Sequence, residues 1–175
     1  DNFASYHPDV IILNNLEMDH PEYFKTIDRL LESYQNFINN LKPGGTLIYN
    51  SDSSLIHKLQ LPDNSIPYTP SDFDYQISLP GSHNKSNALG VIKLAKILKI
   101  PSSVTITTLK SFTGVGRRIE LIGEKNGIKI YDDYANHPTA FAASISGVKE
   151  LNPNSKIWAI IEPHTFSRLR AVLSD

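Results

Sequence analysis

His20 closes the stretch Asn14-Asn15-Leu16-Glu17-Met18-Asp19-His20, which gathers two carboxylates and an imidazole at the end of an apolar run. A neutral ring nitrogen and hard carboxylate oxygens suit a divalent cation such as magnesium. A plain helix start, with Asp19 as cap and His20 exposed, accounts for the same residues. A second cluster, Pro80-Gly81-Ser82-His83-Asn84-Lys85-Ser86-Asn87, opens a helix pattern. Free backbone amides at a helix start attract anions and polar rings. Asn84 and Asn87, three residues apart on one helix face, carry donors and acceptors that can read an adenine edge. Ordinary capping residues on a solvated turn are the alternative.

In Gly114-Val115-Gly116-Arg117-Arg118-Ile119-Glu120, two guanidiniums follow a glycine turn and suit the oxygens of a phosphate. Strand alternation would send Arg117 and Arg118 to opposite faces, leaving at most one for a given ligand; a basic surface strand would look the same. The last pair of clusters is Tyr131-Asp132-Asp133-Tyr134-Ala135-Asn136-His137-Pro138 and Glu162-Pro163-His164-Thr165-Phe166-Ser167-Arg168. Histidine and arginine arriving together at neighbouring strand ends can hold a carboxylate and steer an amine. His7 and His57 stand alone and read as surface or packing residues. The chain contains neither a Gly-x-x-x-x-Gly-Lys-Ser/Thr phosphate loop nor a Gly-x-Ser-x-Gly nucleophile elbow.

These clusters need elements to carry them. Residues 9–15 hold a short apolar run rich in β-branched types, expected as a buried parallel strand. Apolar residues recurring at three- and four-residue steps over 21–41 predict one amphipathic helix, stopped by Pro43-Gly44-Gly45. Residues 46–50 read as a second strand, 51–59 as a short helix and 60–79 as short strand pieces. Ser82 begins a helix whose expected apolar face is Ala88, Val91, Ile92, Ala95, Ile97 and Leu98, ending before Pro101. A further helix is expected over 104–112. Asn126-Gly127 between apolar runs predicts a hairpin, Pro138 opens a helix to about Leu151, residues 156–161 read as a strand, and a last helix starts at Ser167. Alternating strands and helices predict an α/β fold, with a domain boundary at Pro101. In such folds ligands bind beyond the carboxyl ends of the strands, where all these clusters fall.

The 175 residues suffice for one domain or parts of two. With 17 basic and 18 acidic side chains the net charge is −1, which provides no electrostatic footprint for nucleic acid or an anionic membrane. No cysteine is present, so disulfides and thiolate chemistry are excluded, as suits a reducing cytoplasm. No apolar run approaches the ~18 residues needed to span a bilayer. A first residue other than Met and a last stretch patterned as an unfinished helix suggest a piece of a longer protein.

Taken in order, five stretches resemble the Mur ligase family: Asn15-Leu16-Glu17-Met18-Asp19-His20, Pro80-Gly81-Ser82-His83-Asn84-Lys85-Ser86-Asn87-Ala88, Phe112-Thr113-Gly114-Val115-Gly116-Arg117-Arg118-Ile119-Glu120, Asp132-Asp133-Tyr134-Ala135-Asn136-His137-Pro138, and Pro163-His164-Thr165-Phe166-Ser167-Arg168. The resemblance implies residues 1–100 as the late part of a P-loop-type central ATPase domain and 101–175 as the first half of a Rossmann-like C-terminal domain. The phosphate loop and the acidic magnesium partner are expected upstream. The implied reaction adds L-alanine to UDP-N-acetylmuramate through an acyl phosphate, with ATP and Mg2+. Attachment of a murein peptide to the same sugar is the related possibility.

In family terms His20 is similar to a magnesium ligand, and His83, Asn84 and Asn87 to the adenine contacts. Arg118 is similar to the arginine reaching phosphate, and Asp133 and Tyr134 to further nucleotide contacts. His137, His164 and Arg168 resemble residues around the amino acid and the reacting carboxylate, with Arg118, His137 and Arg168 as the catalytic set. Asn136 stands where the family more often has His, Lys85 where an apolar residue is common, and the 50–80 segment is shorter than usual. Two readings from other classes are a small hydrolase with a metal on His20, His137 and His164, and a non-catalytic ATP-binding relative.

Overall fold

The computed structural model describes residues 2–162. The His164 and Arg168 sites and the helix expected from Ser167 lie outside the described residues. The chain divides into two compact units, one of Asp1–Tyr75 with Lys85–Thr107 and the other of Gln76–Asn84 with Thr108–Asp175.

In the first unit three strands, β1 (Val10–Leu13), β2 (Thr46–Asn50) and β3 (Ser65–Tyr68), form a parallel sheet in that order. The register pairs Val10 with Thr46 and Leu13 with Tyr49, then Leu47 with Ser65 and Asn50 with Tyr68. Because side chains alternate along a strand, the sheet has two apolar faces. Ile11, Leu13 and Leu47 meet Leu30 and Ile38 of helix α2 (Ile27–Asn39) and Ile56 and Leu59 beyond β2. On the other face Ile48 and Tyr68 meet Leu89 of α3 (Ser82–Ile97), with Val10, Ile12 and Ile66 beside them. Helices on both faces explain why these short strands are β-branched and apolar without a polar side. Gly90 lets α3 approach β1 closely, since a Cβ there would sit 2.9 Å from Ile12 Cγ2.

The helix expected over 21–41 is broken. A single turn, α1 (Pro21–Phe24), ends at Lys25, which adopts a left-handed φ of 63°, and Thr26 is extended. Thr26 Oγ1 accepts a hydrogen bond from Arg29 N at 3.3 Å, so a local cap displaces helix continuation. The 51–59 helix is reduced to one 3-10 turn at Ile56–Lys58, and within 60–79 only β3 forms a strand. The expected apolar face of α3 is corrected at two positions. Val91 and Leu98 are exposed, while Ser86, Leu89 and Gly90 are buried with Ala88, Ile92 and Ala95.

The next helix, α4, runs Ser102–Ser111. The second unit holds an antiparallel hairpin of β4 (Glu120–Lys125) and β5 (Ile128–Asp132), then helix α5 (Pro138–Leu151). Asn126 and Gly127 both have positive φ, 54° and 76°, the geometry of a type I′ turn. The strand expected over 156–161 does not form. Among the described residues β4 and β5 pair only with each other, and Trp158 and Ile160 stand exposed. A strand without a ladder partner gains nothing from its β-propensity.

Leu47, fully buried in the central strand, anchors the α2 face of the sheet. Leu47→Ala is expected to destabilise the chain by about 2–5 kcal/mol through lost contacts and a residual cavity, read as a lowered urea midpoint.

Candidate functional site

The second unit holds six of the candidate site residues, His83, Asn84, Arg118, Asp133, Tyr134 and His137. Its centre is the turn over residues 114–119, where Gly114, Arg117 and Ile119 all have positive φ, at 98°, 59° and 49°. Positive φ is rare for arginine and a real outlier for β-branched isoleucine. Asp133, just beyond β5, holds the turn. Its Oδ2 accepts from Ile119 N at 2.8 Å, and its Oδ1 accepts from Ala135 N at 2.7 Å and Ser144 Oγ at 3.0 Å. One carboxylate thus ties the glycine turn to the end of β5 and to α5. Gly147 completes the seat, since a Cβ there would lie 2.8 Å from Ile119 Cδ1.

This geometry corrects the expected strand alternation of the arginines. Arg117 and Arg118 lie in the turn before β4, and both guanidiniums face the Tyr134 ring, at 4.9 and 5.8 Å from its centroid. Arg117 is further occupied, its Nε donating to Asp132 Oδ2 at 3.1 Å, while its carbonyl accepts from Tyr134 N at 2.8 Å. Arg118 carries the charge available for an anion, with the tyrosine face stabilising it.

His83 is half-buried, and its Nδ1 is buried without a hydrogen-bond partner among the described residues. Burial lowers its pKa below the ordinary histidine value; Asp133 raises it, Arg118 lowers it and Glu150 raises it, in decreasing order. The same three side chains therefore surround its ring electrostatically. Gly81 has a φ of 90° and donates its N–H to Glu150 Oε2 at 2.9 Å, and Asn84 Nδ2 donates to Pro80 O at 2.7 Å. His137 is the residue before α5, extended at φ −127°, with its carbonyl accepting from Phe141 N.

The first unit holds His20 and Asn87. His20 has left-handed φ and ψ of 52° and 55°, a conformation costing roughly 1–2 kcal/mol for a residue with a Cβ. Asp19 Oδ1 accepts its backbone N–H at 2.8 Å, and Glu22 Oε1 lies 3.0 Å from its Nδ1. Among the described residues no group of three or more His, Asp or Glu side chains converges on a possible metal position, at His20 or elsewhere. These donors by themselves do not fit a complete magnesium site; His164, the third histidine of the hydrolase reading, lies outside the described residues. His57 lies exposed at the surface, its Nε2 donating to Ser51 O at 2.7 Å beside Tyr49.

Sequence reasoning missed one group. Tyr68, buried at the end of β3, donates its hydroxyl to Asn14 Oδ1 at 2.8 Å, and Asn14 Nδ2 donates to Asn87 Oδ1 at 2.9 Å. Ser86 Oγ donates to the Tyr68 hydroxyl at 3.5 Å, and Asn50 Nδ2 to Ser86 Oγ at 3.5 Å. Burial pushes the Tyr68 phenol above its ordinary value, with the Ser86 contact opposing, so the group stays protonated at neutral pH. The only sequence signal was position: Asn14, Asn50 and Tyr68 all lie at strand ends.

Residues 1–66 match the Mur ligase middle domain, and residues 117–174 match the glutamate ligase domain of Mur ligases. The chain belongs to the Mur ligase family. It is 31% identical to a UDP-N-acetylmuramate–L-alanine ligase of Clostridium acetobutylicum, over 99% of this chain and 44% of that protein. The chain thus spans less than half the length of the curated relatives it matches. That alignment runs over 203 positions for a chain of 175 residues, so the relative carries insertions. Among solved structures, a UDP-N-acetylmuramate–alanine ligase from Thermotoga maritima superposes with a TM-score of 0.73 at 23% identity, covering 97% of this chain and 44% of that one. A murein peptide ligase from Psychrobacter arcticus superposes with a TM-score of 0.59 at 27% identity, covering 93% and 39%. The α/β fold of this Mur ligase chain, with its parallel sheet, agrees with both.

The lowered pKa of His83 fixes the sign of a pH effect. Folding favours the neutral ring, so the contribution is present above the ordinary value of 6.5 and is lost as pH falls through the lower folded value. His83→Gln is expected to flatten the fall in thermal stability between about pH 7 and 5. An NMR titration of the wild-type ring should give a midpoint below the ordinary one; a midpoint at or above it would contradict the burial account.

Proposed function

We propose that the protein containing this chain is an ATP-dependent ligase of peptidoglycan-precursor synthesis, joining L-alanine to the carboxylate of UDP-N-acetylmuramate. The observation that carries this reading is the likeness to a UDP-N-acetylmuramate–L-alanine ligase along 99% of the chain. The arginine–tyrosine–histidine cluster of the second unit gives it a chemical basis. In this reading residues 1–100 belong to the central ATPase domain and 101–175 to the C-terminal domain. The matched ranges, 1–66 and 117–174, lie either side of that boundary.

In the first step a carboxylate oxygen attacks the terminal phosphorus of ATP, giving an acyl phosphate and ADP. In the second, the amine nitrogen attacks the acyl carbon, phosphate leaves and the amine releases a proton. Arg118, backed by the Tyr134 ring, stabilises charge on the transferring phosphoryl oxygens. Asp133 keeps the turn that carries Arg118 in place. His83, Asn84 and Asn87 face the base of ATP, and His137, His164 and Arg168 the amino acid and the reacting carboxylate. His20 would hold magnesium together with an acidic partner outside this chain, and the ion would offset charge on the phosphates. Soluble, charged substrates and a cysteine-free chain suit the cytoplasm, and no described helix is long and apolar enough to cross a membrane.

The likeness to a murein peptide ligase at 27% identity over 93% of the chain supports a second reading, in which the amine belongs to a ready-made peptide. Purified full-length protein separates the two. With ATP, magnesium and UDP-N-acetylmuramate, release of ADP should depend on L-alanine and not on a murein tripeptide; the reverse dependence would select the peptide ligase. ADP release that ignores both amines would sink the ligase reading. Arg118→Ala should lower kcat by about 10²- to 10³-fold, as for loss of one preorganised donor to a developing oxyanion.

A further inference from the structure

Five side chains of the first unit form a hydrogen-bond chain with a single direction. It runs from Asn50 Nδ2 to Ser86 Oγ, to the Tyr68 hydroxyl, to Asn14 Oδ1, and from Asn14 Nδ2 to Asn87 Oδ1. The two bonds that orient Asn14 and Asn87 are short, at 2.8 and 2.9 Å. Tyr68 is 3% exposed, so its hydroxyl proton needs a protein acceptor, and Asn14 Oδ1 supplies it. With its oxygen turned to Tyr68, Asn14 presents its amide nitrogen to Asn87, and an amide nitrogen only donates. Asn87 must answer with its oxygen. Its own NH2 group then makes no hydrogen bond among the described residues and sits on an exposed residue.

We infer that Tyr68 and Asn14 are positioning residues that hold Asn87 with its N–H donors outward, so that the nucleotide site reads a hydrogen-bond acceptor on the base, a ring nitrogen, at this point. The inference rests on the proposed binding of ATP and deepens it by fixing the polarity of one contact. An unrestrained asparagine could show its oxygen or its nitrogen. The relay removes that freedom and rejects a base edge presenting an N–H there, because two donors would meet. Tyr68 contributes through Asn14, and neither touches the base in this scheme.

The test uses full-length protein and the 1-deaza, 3-deaza and 7-deaza analogues of ATP, each lacking one acceptor nitrogen. Wild type should bind one of the three about three- to tenfold more weakly than ATP, the worth of one neutral hydrogen bond, and Asn87→Ala should abolish that difference. Asn87→Asp, which presents only acceptors, should bind ATP no better than Asn87→Ala. Tyr68→Phe, nearly isosteric, should keep kcat, raise KM for ATP and shrink the deaza penalty by at least half. Asn14→Asp, an acceptor on both oxygens, should turn Asn87 round and lose the penalty altogether. Urea midpoints check that the variants are folded. Equal affinity of wild type for all four nucleotides, wild-type affinity in Asn87→Asp, or an unchanged penalty in Tyr68→Phe would each overturn the relay while leaving the ligase reading intact. Failure of wild type to bind ATP at all would instead overturn the ligase reading.

Discussion

A parallel strand covered by helices on both faces has no place for a polar side chain except at its end. That constraint organises the first unit. Val10–Leu13 and Thr46–Asn50 bury both of their faces, and the first residues able to carry polar chemistry are Asn14, Asn50 and the hydroxyl of Tyr68. Burying their polar atoms between the sheet and α3 requires that each find a partner. The partners available are one another and the residues α3 brings past them, Ser86 and Asn87. The relay is therefore a consequence of layer packing as much as of any ligand. Gly90 belongs to the same account, because a side chain there would press on both Ile12 and Asn14.

In the second unit the equivalent burden falls on one carboxylate. Asp133 accepts three hydrogen bonds, from the turn at Ile119, from Ala135 two residues on and from Ser144 of α5, and the first of these holds a residue with positive φ. Ile119 at φ 49° persists because its N–H is fixed by Asp133 and its side chain is seated at Gly147. Strain of this kind is maintained only where the surroundings over-determine it. Here it turns Arg118 toward the face of Tyr134, where β4 would have taken it away.

The legible parts of the fold were those with short-range causes. Asn126-Gly127 declared the hairpin because only φ-positive residues close that turn, and Pro138 declared the start of α5. Strands β1 and β2 were legible because burial on both faces leaves an unbroken apolar run. The break at Lys25 and Thr26 was hidden inside an uninterrupted helical period, since a capping hydroxyl leaves no mark on hydrophobic spacing. Val91 and Leu98 fit the helical period yet point away from the sheet, because Leu89 and Gly90 make the contact. The approach of both arginines to Tyr134, and the Tyr68–Asn14 bond across 54 positions of sequence, are products of tertiary structure. No periodicity encodes them. Residue types marked out a candidate site, because imidazoles, amides and guanidiniums clustered after apolar runs; which atom faces which partner did not follow from type.

The segment after α5 carries the chain's single tryptophan, Trp158, 79% exposed with the Lys156 ammonium 4.4 Å from its ring centroid. All indole fluorescence therefore originates at one site, beside a hydrated cation and in contact with water. Its emission is a built-in optical reporter for residues 156–161, shifting to shorter wavelength whenever another surface covers them and remaining blind to rearrangements of the parallel sheet.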